Sequence, residues 1–275
     1  MKNKLSKIFK KEKNIIIGVI HFLPLVGYSE FPGFEVTLKN ALQDLKAFEN
    51  GGVDGIIIEN NYDIPHKIEV DPQVADMMKD LGKEIREKTK LPLGVSVLWN
   101  DFKNALLIAK SINGKFIRIP VFVDKVKTSY GIITGDPKEV INYRKKIKAG
   151  NIAIFTDIHV KHAGLLEKKS ISESALQAIT FNSDALIITG KWTGDAPDLS
   201  ELEIVREIVG DFPILIGSGA DNKNIKNLLQ YSNGAIVSTS LKEGGAKKGE
   251  VNIKGWEQRI DEEKVKNFVR AKNIL

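Results

Sequence analysis

Cysteine is absent from the chain, which rules out disulfides and thiolate zinc sites. That absence fits a reducing compartment, and a cytoplasmic location is the expectation. There is no run of roughly 18 apolar residues, so no transmembrane helix is expected. The lysine-rich start leads into residues 14–20, an apolar run too short for a secretory signal and without a small-residue cleavage site. Aromatic residues make up only 7% of the chain and are scattered. Without aromatics interleaved among basic residues there is no stacking platform or groove-reading motif, and nucleic acid is not an expected partner.

Net positive charge is concentrated in one segment. The formal net charge is +6, and the first 13 residues hold six lysines against one glutamate. The remainder is close to neutral, so the basic balance belongs to a segment rather than to a surface. Within it, Leu5, Ile8 and Phe9 fall at i, i+3 and i+4, one face of a short helix. Such a helix can lie on a membrane surface or close the bottom of a barrel with its lysines in solvent. Three apolar side chains give only reversible binding to a bilayer, so the cap is the expectation and a stable membrane anchor is not. The predicted organisation is a basic amphipathic helix over residues 1–13 and one domain over 14–275.

What the chain has is repetition. Eight apolar runs alternate with eight helix-like stretches, the pattern of a parallel α/β architecture. The runs are 15–21, 55–58, 93–98, 116–119, 152–157 continuing to His159, 185–189, 213–216 and 234–237. They are apolar without alternation, as strands covered on both faces are. Asp71-Pro72 and Asp136-Pro137 each place an N-cap before a proline at the first helical position. Eight such units predict a single (β/α)8 TIM barrel of the phosphate-binding type. Residues 120–136, with Tyr130, Gly131, Thr134 and Gly135, form a longer loop suited to an active-site lid.

Polar residues gather where these runs end, and in a barrel such positions converge on one mouth. Runs seven and eight break into Gly217-Ser218-Gly219 and Ser238-Thr239-Ser240. Small residues there leave backbone N–H groups uncovered, which suits a bound phosphate. The alternative is a pair of tight turns that bind only water. His21 ends the first run and is a candidate general base, metal ligand or structural hydrogen-bonding residue. Glu59, at the end of the second, is a candidate acid or base, or a buried partner of Arg118. Asp157 and His159 share strand parity and so point to one side. With His21 they are candidate catalytic groups, or ligands of one divalent metal. In the plainer reading they are a hydrogen-bonded strand end with Lys161 and His162 solvated. Asn100 and Arg118 are candidate substrate-binding residues. Lys191 is a candidate anion contact, less readily a Schiff-base lysine, and otherwise a solvated loop charge. No other cofactor is called for, and self-association is left open.

Several segments taken together resemble the BtpA/SgcQ family. They include Ile17-Gly18-Val19-Ile20-His21, the run from Gly51 through Asn60, Asn100-Asp101, Phe116-Ile117-Arg118, the run from Asp157 through His162, Gly217-Ser218-Gly219 and Thr239-Ser240-Leu241-Lys242. The resemblance covers most of residues 14–243 in order. It implies a barrel related to the phosphate-binding barrels. One branch of that family is linked to photosystem I accumulation and another to sugar-phosphate metabolism. Two functions are therefore expected candidates: an enzyme acting on a sugar phosphate or nucleoside-type phosphate, and a non-catalytic assembly factor that uses the barrel as a scaffold. Trp99 and residues 120–127 depart from the family pattern, and both fall at the mouth.

Overall fold

The computed structural model describes residues 4–244 and 255–272. A short helix, α1 (Lys4–Phe9), precedes a closed barrel of eight parallel strands. These are β1 (Ile15–His21), β2 (Gly55–Glu59), β3 (Leu93–Ser96), β4 (Phe116–Ile119), β5 (Ala153–Ile158), β6 (Ala185–Ile188), β7 (Ile214–Ile216) and β8 (Gly234–Val237). Each pairs with the next, and β8 returns to β1 with Ile15 opposite Gly234. Seven helices cover the outside between strands: α2 (Phe34–Gly51), α3 (Pro72–Lys88), α4 (Phe102–Ser111), α5 (Pro137–Lys146), α6 (Ile171–Thr180), α7 (Leu199–Val209) and α8 (Ile225–Tyr231). The last, α9 (Glu262–Ala271), packs against α2, where Arg259 reaches Asp44 at 2.9 Å.

Local chemistry sets the helix boundaries. Asp101, Asp136 and Asp261 each accept the N–H three residues on, and Ser170 and Glu173 form a reciprocal capping box. Asp71 occupies the cap position before Pro72, but its carboxylate turns to Lys67 at 2.5 Å and takes no helix N–H. Gly52 ends α2 at φ 85°, donating to the carbonyls of Phe48 and Glu49.

Strand periodicity sorts the core into two layers. One set of side chains faces the helices. The other, with Ile15, Ile17, Val19, Ile57, Phe116, Phe155, Ile187, Leu215 and Ile236, fills the barrel interior. Leu5 and Phe9 of α1 belong to this inner cluster, and Ile8 packs on it. Phe9 meets Phe116 at 5.7 Å between ring centroids, and Phe116 stacks on Phe155 at 4.6 Å. The apolar face of α1 is thus used within the barrel.

Two expectations are corrected. Residues 120–136 are not an irregular loop: Lys125–Thr128 and Gly131–Thr134 form an antiparallel hairpin, and Gly164–Leu165 adds a third strand. Val126, Ile133, Trp99, Val121 and Val160 make a small separate core beneath it. The fifth strand also stops short, at Ile158. His159 turns to φ 48°, so it leaves the strand and does not share the direction of Asp157.

Candidate functional site

Extending each inner row by two residues reaches the mouth. Val19 leads to His21, Ile57 to Glu59, Phe116 to Arg118, Phe155 to Asp157, Leu215 to Gly217 and Ile236 to Ser238. The apolar filling therefore gives way to polar groups at one level, at the C-terminal strand ends. Above them lies a cavity of about 580 Å³. His21, Glu59, Arg118, Gly217, Ser218, Gly219, Ser238, Thr239 and Ser240 line it.

His21 and Glu59 are direct cross-strand partners in the β1–β2 register, with Nε2 and Oε1 3.3 Å apart. Burial pushes the imidazole below its ordinary value, against the pull of Glu59. Burial alone would raise Glu59, but the hydrogen bond and charge of His21, with the charge of Arg118, hold it at about 2. The pair at neutral pH is a neutral imidazole donating from Nε2 to a carboxylate. Nδ1 then carries the lone pair, which the Ser238 hydroxyl meets at 3.5 Å. Tyr62 stands edge-on to the His21 ring at 5.6 Å, and the Lys242 ammonium lies over the Tyr62 ring at 4.9 Å.

Arg118 does not pair with Glu59. Its Nε and Nη2 donate to the two carboxylate oxygens of Asp157 at 2.9 and 2.8 Å. Arg118 and Asp157 lie on adjacent strands, whereas Glu59 is two strands away from Arg118. Asp157 is 1% exposed and does not line the cavity. Its oxygens are engaged in holding Arg118 at the cavity wall.

The proposed metal set does not assemble. Both Asp157 oxygens are committed, His159 points its Nε2 into a buried spot with no partner, and His159 does not line the cavity. Among the described residues no group of three histidine, aspartate or glutamate side chains is placed to hold a metal ion. Two of the expected substrate contacts are also placed elsewhere. Asn100 exchanges two hydrogen bonds with the Val121 backbone, both at 2.9 Å, and pins the segment after β4. Lys191 is exposed and off the cavity wall.

At the ends of β7 and β8 the hydroxyls and the backbone N–H groups have different partners. The Ser218 hydroxyl donates to the Asp195 carbonyl and accepts from the Gly190 N–H, and Ser240 donates to the Ala220 carbonyl. These hydroxyls build the turns. The backbone N–H groups of Gly219, Thr239 and Ser240 are taken by no acceptor among the described residues. Gly219 has φ 68°, and a Cβ there would lie 2.0 Å from the Ala196 nitrogen, so only glycine fits.

Sequence reasoning missed three groups. Lys161, read as solvated, sits half-buried in the cavity wall. Its pKa is pushed down to about 8, first by burial and then by the charge of Arg118. His162 stands against Trp192 at 5.4 Å and bonds Thr193 at 2.8 Å. His66 stands against Tyr130 of the hairpin at 5.1 Å. The wide spacing of these residues in the chain left no local signal.

Lowering the pH from 7 to 5 is expected to lower the melting temperature. Burial holds His66 and His162 at about 4. The unfolded chain binds protons on these rings near 6.5, and the folded chain does so only near 4. Their stabilisation is therefore complete above 6.5 and is lost as pH falls, and His21 acts in the same direction. Asp63 opposes them, because burial raises it to about 6. Asp44, also raised by burial, opposes them too, and three histidines outweigh the two carboxyls. A thermal melt that is unmoved or higher at pH 5 would contradict this.

The class defined by these features is a (β/α)8 barrel whose polar groups collect over the C-terminal ends of its strands. The chain belongs to the BtpA family, whose model matches residues 11–273. It is 36% identical over 261 residues to the photosystem I biogenesis protein BtpA of Synechocystis, covering 94% of this chain and 88% of that one. Among solved structures it is similar to (S)-3-O-geranylgeranylglyceryl phosphate synthase from Thermoplasma acidophilum in complex with sn-glycerol-1-phosphate. The TM-score is 0.59 at 15% identity, with 100% of both chains covered. Orotidine 5'-phosphate decarboxylase from Pyrococcus horikoshii gives a TM-score of 0.58 at 13% identity, covering 95% of this chain and 100% of that one. Identities this low establish the fold. Among the described residues no helix is long and apolar enough to cross a membrane.

Proposed function

We propose that the mouth of this barrel binds a phosphorylated small molecule, a sugar phosphate or nucleoside-type phosphate, and acts on it by acid–base chemistry. One observation carries the reading. Gly219, Thr239 and Ser240, whose N–H groups meet no acceptor among the described residues, line the same cavity as the neutral His21 imidazole. Amides with no acceptor suit an anion. A neutral histidine whose Nδ1 carries only the long contact to the Ser238 hydroxyl suits a proton to be removed. Ser238 lies between the two ends and bonds His21, so an anchored phosphate would hold its neighbouring carbons near the base. Arg118, fixed by Asp157, adds a permanent positive charge on the same wall. The two barrels of similar fold are named for substrates or products that carry phosphate, which agrees with this reading.

The name of the Synechocystis relative supports the assembly-factor alternative. A scaffold that only joins partners has no use for a neutral base on a buried carboxylate at the mouth of the barrel, and the enzyme reading is preferred.

Inorganic phosphate should raise the melting temperature in a concentration-dependent way, by roughly 2.7 kcal/mol of stability at a hundred times the dissociation constant. Thr239→Glu places a carboxylate where the anion would sit and should abolish the shift. Thr239→Val keeps the backbone and should retain it. No shift in the wild type, or the same shift in Thr239→Glu, would remove phosphate from this mouth.

A further inference from the structure

One half-buried ammonium in the cavity wall is left without work in the scheme above; Lys127, which also lines the cavity, is exposed. Among the described residues, no hydrogen bond or ion pair within 4.0 Å takes the Lys161 side chain. The other enclosed lysines are committed: Lys169 donates to Asp124 and to the Val123 carbonyl, and Lys242 to Tyr62 and the Gly255 carbonyl. Lys161 instead shares its wall with Arg118, whose own fork is filled by Asp157. We propose that the ε-amine of Lys161 is a nucleophile that forms an imine with the carbonyl carbon of the substrate, which places the substrate among phosphorylated aldehydes and ketones. The proposal rests on the phosphate reading of the mouth.

Two arrangements turn a lysine into a nucleophile: removal from water and a neighbouring cation. Lys161 has both, and with its pKa brought down to about 8 a substantial share is free amine in mildly alkaline solution. An anion contact alone would be better served by an arginine, which stays charged and offers a planar fork. The anion end is already supplied by the amides of Gly219, Thr239 and Ser240.

The steps balance without an added reagent. The Lys161 nitrogen lone pair adds to the carbonyl carbon, and the C=O pair moves to oxygen. That oxygen gains a proton and the nitrogen loses one, giving a carbinolamine. The hydroxyl takes up a second proton and leaves as water as the nitrogen lone pair closes the C=N bond, producing an iminium. His21 Nδ1 then accepts a proton from the neighbouring carbon, and the released pair moves toward nitrogen as an enamine. Return of the proton to the opposite face of the same carbon regenerates the iminium, and addition of water to its C=N bond releases the epimer and restores the amine.

The test is reductive trapping. The full chain is incubated at pH 8 with a panel of aldehyde and ketone phosphates of three to six carbons, treated with sodium borohydride and mapped by mass spectrometry. The expected result is one adduct per chain, on Lys161, with at least one member of the panel. The matching unphosphorylated sugar should give at least tenfold less, and excess inorganic phosphate should suppress the label. Lys161→Arg should lose the adduct and keep the melting shift with inorganic phosphate. Absence of a Lys161 adduct across the panel, with that shift intact, overturns the imine and leaves the phosphate reading standing. Loss of the shift in the wild type, or labelling of Lys161 regardless of phosphorylation, overturns the phosphate reading itself. Labelling spread evenly over exposed lysines overturns the nucleophile.

Discussion

Asp157→Asn is expected to cost about 3–5 kcal/mol of stability, because it strands a buried guanidinium. In the sequence Asp157 reads as a catalytic or metal-binding carboxylate. In the structure both its oxygens are filled by Arg118, at 2.9 and 2.8 Å, and the pair is enclosed. An asparagine offers one acceptor and one donor, so half of the fork would face an N–H. A melting-temperature fall on the order of 10 °C follows for a chain of this size. The control is a double variant, Arg118→Met with Asp157→Leu. Replacing both partners by apolar groups of similar volume is often neutral, so this variant should melt close to the wild type while losing the cavity's fixed charge. An Asp157→Asn protein with unchanged melting would show that the pair is less enclosed than its geometry indicates.

Glu59→Gln should act the other way, sparing the fold and lowering turnover by about a hundredfold, the scale of a positioned general base. The amide keeps the size of the carboxylate and can still accept from Nε2. It no longer imposes that tautomer, because its own N–H group can face the ring. The pH profile separates this from simple misfolding. Glu59 raises the His21 pKa, although burial leaves it low overall. Removing the charge should shift the acid limb of the turnover profile to lower pH, along with the loss in rate. The measurement is a pH–rate profile of both proteins on a phosphorylated substrate found by the melting screen. Normal turnover in Glu59→Gln would assign this carboxylate to structure. A limb displaced to higher pH would contradict the assigned coupling.

The barrel was legible because its strands are unbroken apolar runs and its helices begin at Asp, Ser and Pro. Individual partners were less so. The His21–Glu59 pair is a register fact: the two residues stand opposite each other once β1 and β2 are aligned. The sequence offers Glu59 as a buried partner of Arg118, yet two strands separate them, and the adjacent strand supplies Asp157. Parity failed at His159, because a left-handed residue ends the alternation and sequence alone gave no sign of it. The hairpin was missed for another reason. Its strands are four residues each, with lysines facing outward, and its third partner is the two-residue Gly164–Leu165. Lys161 lay beyond the strand, where no periodicity applies, so only the folded mouth brings it beside Arg118.

The pairing of β8 with β1 also governs how the chain is made. The first strand must wait for the last: Ile15 finds its partner only when Gly234 has been synthesised. Until then the growing sheet has two open edges, each a row of unpaired N–H and C=O groups, and its interior faces water. A chain interrupted before β8 would be an unclosed apolar sheet, inclined to pair with its neighbours. During translation the chain therefore passes through an unclosed form, which ends when β8 pairs with β1.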